Sequence, residues 1–206
     1  MIAIADNKEL SEAVKTDAGR RSIFHALRYA AATGLSLNPQ EGKSALIAYG
    51  GKVQYQVMKN GMVDLALESG KVEFITADVV RENDEFEPPA NPNSDYTYKP
   101  ARKNRGGIDG FFAVMKLMSG STHLKWMTIE EIAEHRKKYS SHTQMPEVGY
   151  GIKTVLKALL RTTSISKELD AAVGADDTFE YEMTGAVSAE DVSKQINLQP
   201  EKKVVD

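Results

Sequence analysis

Two short glycine turns, each set between runs of strand-forming residues, restrict this chain's fold more than any other feature. In "SALIAYGGKVQYQVM", Val53, Tyr55 and Val57 alternate with Gln54 and Gln56, and Gly50 and Gly51 separate two strand-like runs. In "IDGFFAVMKLM" and "THLKWM" the turn falls at Ser119 and Gly120. A tight turn between consecutive strands makes them antiparallel neighbours, so two hairpins are expected. Elsewhere the period becomes helical. "DAGRRSIFHALRYAAATG" offers Asp17 as an N-cap, Ile23, Phe24, Leu27, Ala30 and Ala31 along one side, and Gly34 as a terminator. "NGMVDLALESG" reads as a short helix closed by Gly70, and "KVEFITADVV" returns to strand composition. Thr128 and Glu131 form a capping box that starts a helix reaching about Lys138. Helix, hairpin, helix, strands and two helices in that order predict an α+β fold: a mostly antiparallel sheet packed with helices, the last of them basic and amphipathic.

That last helix lies in "YGIKTVLKALLRTTSIS", residues 150–166. Ile152, Val155, Leu156, Leu159 and Leu160 recur at helical spacing, and Lys153, Lys157 and Arg161 recur every fourth residue beside them. Any amphipathic helix has a polar face, so the stripe alone favours ordinary solvation. Further positive charge comes from Arg102, Lys103 and Arg105 in a proline-bearing loop over residues 87–107, and from Lys125 on a strand. Tyr55, Phe111, Phe112 and Trp126 lie on the β elements. Positive grooves with stacking aromatics hold single nucleic-acid strands, although alternate residues of each strand must face a core and most of these aromatics belong there.

The net charge of -3 hides an asymmetry. Ten acidic residues against three lysines leave residues 168–206 at -7, and residues 1–167 at +4. A mildly basic body with an acidic tail suits an anionic partner and an interaction tail, and ordinary surface charge explains it equally well. The chain has no cysteine, which excludes disulfides and thiolate chemistry. No apolar run is long enough for a membrane span and the opening is too short for a signal peptide, so a cytoplasmic location without membrane contact is the expectation.

Motifs for catalysis are weak. "QEGKS" resembles the end of a phosphate-binding loop, yet Leu37 stands where its first glycine belongs and a strand, not a helix, follows. Asp78, Glu82, Asp84, Glu85 and Glu87 could suggest a metal-dependent nuclease, but consecutive residues on a strand end alternate faces; at most they leave room for a weakly held, modulating Mg2+. His25, His123, His135 and His142 have no metal-ligand spacing. These observations argue against an enzyme and against a bound cofactor.

Six segments in order, "ALRYAAATGLSLNP", "SALIAYGGKVQYQV", "NGMVDLALESGKVEFITADVVRENDEFE", "GGIDGFFAVMKLMSG", "MTIEEIAEHRKKYS" and "GIKTVLKALLRTTSIS", are similar to successive blocks of the RecT family of phage single-strand annealing proteins, or recombinases. The resemblance covers most of residues 26–170. It implies single-stranded DNA binding, homo-oligomeric rings or filaments, annealing to duplex without ATP, and work beside a phage exonuclease. The family's lysine-threonine helix corresponds to Lys153 and Thr154, and its hairpin-to-helix junction to "MKNG", which keeps Lys59 and Gly61 but lacks the aromatic. Leu67 and Glu68 stand where relatives often carry arginines, Glu147 follows Pro146 where a tryptophan is common, and the N-terminal part is shorter than in many members.

The combined expectation is an N-terminal helical segment at 1–35, an annealing core at 36–167 and an acidic, partly flexible tail at 168–206 that could engage a host single-strand-binding protein. A groove floored by a helix over residues 149–163 would grip phosphates through Lys59, Arg102, Lys103, Arg105, Lys125, Lys153, Thr154, Lys157 and Arg161. Two other readings stay open: a metal-dependent nuclease, and an oligomeric assembly module that ignores DNA.

Overall fold

A computed structural model describes residues 8–88, 96–139 and 147–184. Pro89, Pro92, His142, Pro146 and the tail beyond residue 184 lie outside the described residues, as does the opening "MIAIADN". The chain forms helices α1 (Lys8–Ala13) and α2 (Asp17–Thr33), hairpin strands β1 (Ser44–Tyr49) and β2 (Lys52–Val57), and helix α3 (Lys59–Glu68). Strand β3 (Val72–Arg81), short strands β4 (Glu85–Glu87) and β5 (Thr97–Lys99), and strands β6 (Ile108–Leu117) and β7 (Thr122–Thr128) follow. Helices α4 (Ile129–Tyr139), α5 (Glu147–Leu160) and α6 (Lys167–Thr184) complete the described part.

All strand pairs are antiparallel, in three separate sheets: β1-β2, β3-β6-β7 and β4-β5. Both expected hairpins are present, with Gly50 and Gly51 at φ 56 and 75, values that only glycine adopts freely. The described residues flanking 89–95 depart from the expected loop, because β4 and β5 pair antiparallel as a third, two-stranded sheet. Each is three residues long, too short to leave a periodic signal.

One apolar cluster joins the N-terminal helices, the first hairpin, the inner face of the three-stranded sheet and the C-terminal helices. Phe111, Ala113 and Met115 of β6 face α5 on that side. Val80, Phe112 and Val114 face the other way into a smaller cluster, covered by Phe86, Tyr96 and Tyr98 in and beside the β4-β5 sheet. The boundaries expected at 35 and 168 do not separate cores: Ala26 and Ala30 lie in the same cluster as Leu169, Ala172 and Val173.

Local details correct the sequence reading in α2. Thr16, not Asp17, is the N-cap, its Oγ1 accepting from the Gly19 amide at 2.9 Å. The helix turns its small residues inward, burying Gly19, Ala26 and Ala30, while Phe24 is 69% exposed. Small side chains allow closer contact with β2, where the Ser22 hydroxyl accepts from the Val53 amide at 2.7 Å. The capping box forms as expected, the Thr128 amide donating to Glu131 at 2.9 Å and the Glu131 amide to Thr128 Oγ1 at 3.3 Å.

Candidate nucleic-acid interface

Helix α5 was expected to display a cationic stripe, but the structure buries most of it. Lys153 is 8% exposed, Thr154 8% and Lys157 2%. Gly151 sits directly over the Phe111 ring, pressing one side of α5 onto the sheet, while α3 and α4 pack against it from elsewhere. A helix enclosed on several sides must bury its polar face as well as its apolar one. Burying an ammonium group is costly unless it is engaged, and both lysines have interactions within the chain. Neither is an open surface cation in this protomer. The helix ends at Leu160 instead of extending to residue 163, and Arg161 stands exposed in the turn beyond it, its amide donating to the Lys157 carbonyl at 3.1 Å.

Arg105 is likewise committed internally. Its Nε donates to Asp84 Oδ1 at 2.9 Å, and one terminal nitrogen to Asp84 Oδ2 at 2.5 Å. That nitrogen also reaches the Tyr98 hydroxyl at 2.9 Å and the Val79 carbonyl at 3.3 Å. The Asp84 side chain is fully buried and additionally accepts from the Arg81 amide at 3.0 Å and the Ala101 amide at 2.9 Å. The Arg105 hydrogen bond, aided by these backbone amides, holds the Asp84 carboxyl down at about 2. Asp84, considered from sequence as a metal ligand, is therefore the counter-ion of a clasp. Among the described residues no three His, Asp or Glu side chains are placed to share a metal ion.

The remaining expected cations are open. Lys59 begins α3, Lys125 projects from β7 on the face shared with Ala113, and Arg102 and Lys103 lie in the loop after β5; all four are exposed. None of the four forms an ion pair among the described residues. The aromatics, by contrast, are structural. Tyr55 is 2% exposed with its hydroxyl 2.6 Å from Thr33 Oγ1, and Phe112 is sealed beneath the β4-β5 sheet. Trp126 stacks on Phe86 with ring centroids 4.8 Å apart. Lys43 of the phosphate-loop lookalike pairs with Asp64 at 2.9 Å, and strand β1 starts at Ser44.

The fold so described lies wholly within residues 3–194, the span matched by a model of the RecT family. The chain belongs to the RecT family. It is 27% identical over 168 residues to Protein RecT of Escherichia coli (strain K12), covering 76% of this chain and 62% of that protein. It is also 26% identical over 191 residues to the uncharacterized protein YqaK of Bacillus subtilis (strain 168), covering 88% of this chain and 65% of that protein. The chain thus spans a little under two thirds of each of these relatives.

In this RecT-family chain, sequence reasoning missed the roles of Gly151, Asp84 and the pair formed by His135 and Tyr150, whose ring nitrogen and hydroxyl are 2.8 Å apart. For Gly151 a signal was available. A glycine inside a strongly apolar helix marks a close contact.

Proposed function

We propose that this chain binds single-stranded DNA and anneals complementary strands in homologous recombination, as a phage-type annealing protein that needs no nucleotide cofactor. The family match across every described element carries this reading. The four open cations, Lys59, Arg102, Lys103 and Lys125, add physical support, because they come from a helix, a loop and a strand with no counter-ion among the described residues. Contacts to phosphate hold a strand without reading it, so base edges stay free for a second strand. Pairing then supplies roughly 1.4 kcal/mol per stacked step, and ATP hydrolysis is unnecessary. Repetition of the site in a homo-oligomer makes a weak protomer contact sufficient, and a partner exonuclease would supply the single strand.

Two complementary oligonucleotides mixed with the chain, without ATP, test the activity: annealing faster than the spontaneous rate is expected, and no acceleration overturns the reading. With about four phosphates neutralised per protomer, log affinity for a single strand should fall against log salt with a slope near -3.

A further inference from the structure

Arg105 was expected to touch DNA, yet its Nε and one terminal nitrogen are engaged by Asp84, Tyr98 and Val79, and its charge is paired with a buried carboxylate, the side chain as a whole being 33% exposed. Its neighbours Arg102 and Lys103 are exposed and make no ion pair among the described residues. The segment carrying those two cations is fixed at both ends. On one side the Ala101 amide donates to Asp84. On the other, the Asn83 amide donates to the Arg105 carbonyl at 3.2 Å, the Asn83 side chain to the Asn104 carbonyl at 2.7 Å, and Arg81 to the Gly106 carbonyl at 3.0 Å. Asn104 takes φ 50, a left-handed conformation uncommon outside glycine. So few residues between anchors of this kind have little conformational freedom left to lose on binding.

We propose that Asp84 and Arg105 are positioning residues whose ion pair holds the 101–107 loop so that Arg102 and Lys103 meet phosphate oxygens of the bound strand. This rests on the single-strand reading above and adds a division of labour within the basic loop: Arg105 orients, and Arg102 and Lys103 touch. A contact by Arg105 through the two nitrogens that hold Asp84 would strand a buried carboxylate, and the mutant cycle below tests for a contact through its other terminal nitrogen.

The test is a mutant cycle on the full chain with a labelled oligothymidylate, affinity being read by fluorescence anisotropy over a salt series and folding by circular dichroism. Arg102→Ala with Lys103→Ala should weaken binding about tenfold and reduce the salt slope by about 1.4, with the fold unchanged. Arg105→Ala should weaken binding in the natural background and have no further effect on top of the double variant. An equal added loss there makes Arg105 a direct contact and overturns the proposal; so does an Arg105→Ala variant that folds and binds normally. Should Arg105→Ala not fold, Arg105→Lys, which keeps the charge but loses the two-pronged fork, replaces it in the cycle with the same outcomes. Hydrogen exchange of the unaltered protein gives an independent check: protected Ala101 and Asn83 amides before DNA is added support the clasp, and rapid exchange at both overturns it. If the unaltered chain binds the oligothymidylate and the double variant binds equally well, only this inference fails. If the unaltered chain does not bind it, the single-strand reading fails too.

Discussion

Gly151 of α5 rests on the ring of Phe111 so closely that a β-carbon at this position would stand 2.4 Å from the ring atoms. This contact sets how near the buried helix approaches the sheet. Gly151→Ala should therefore cost about 1–3 kcal/mol through overpacking, despite alanine's better helix propensity. Urea denaturation measures it, and a neutral or stabilised variant would mean that the helix can shift freely.

Lys157 and Lys125 should respond oppositely to truncation. Lys157 is 2% exposed and engaged within the chain, so Lys157→Ala should destabilise by about 2–4 kcal/mol, visible as a lowered thermal midpoint. Lys125 is exposed on β7, so Lys125→Ala should change stability by no more than about 0.5 kcal/mol while weakening single-strand binding for every sequence alike. The two variants compared in one melting and binding experiment separate structural from contacting lysines.

Lys59→Ala should lower the magnitude of the salt slope by about 0.7, the loss of one neutralised phosphate on a single strand. Lys59 is exposed at the first residue of α3 and leaves the helix intact when shortened. An unchanged slope in the salt titration would remove it from the interface.

The clasp gives a pH dependence with a definite sign. The Asp84 carboxyl is depressed from its ordinary 3.8 to about 2 by its hydrogen bonds from Arg105 and the Ala101 and Arg81 amides. A depressed folded-state value contributes stability that is complete above about pH 4 and disappears as pH falls through about 2. The chain's one tryptophan stacks on Phe86 of the β4-β5 sheet that this clasp adjoins, so Trp126 emission in an acid titration reports its opening. Asp84→Asn, which cannot ionise, should lose this stabilisation at neutral pH and abolish the part of the acid transition that Asp84 contributes.

Thr16→Ala should cost about 0.5–2 kcal/mol by leaving the Gly19 amide without its cap, an effect that Asp17 does not replace. Thermal melts of Thr16→Ala and Asp17→Ala measure it side by side, and a larger loss for Asp17→Ala would reverse the assignment.

Elements with strong periodicity or a clear turn were legible from the sequence. Tyr55 between its two glutamines and the Thr128 and Glu131 pair each announce their structure through neighbours within a few residues. What failed depended on distant partners. The lysines of α5 look like a solvent face because nothing nearby in sequence indicates that the helix will be enclosed. Phe24 and Leu27 look like the inner face of α2 because size suggests burial, whereas the buried positions go to the small residues Ala26 and Ala30, and Gly19 lies against the Ala13 carbonyl. Asp84 looks like one acid among several until Arg105, 21 positions later, folds onto it. Of the expected DNA contacts, those placed in the open by the fold, Lys59, Arg102, Lys103, Lys125 and Arg161, come from loops, strand edges and helix ends.

Helices α2 and α6 pack together although they lie near opposite ends of the described chain, and Ala26 and Ala30 share one apolar cluster with Leu169, Ala172 and Val173. During synthesis, α2 therefore leaves the ribosome well over a hundred residues before its partner and has an uncovered flank until α6 has emerged. A nascent chain stopped before residue 169 would carry a sticky, unfinished surface.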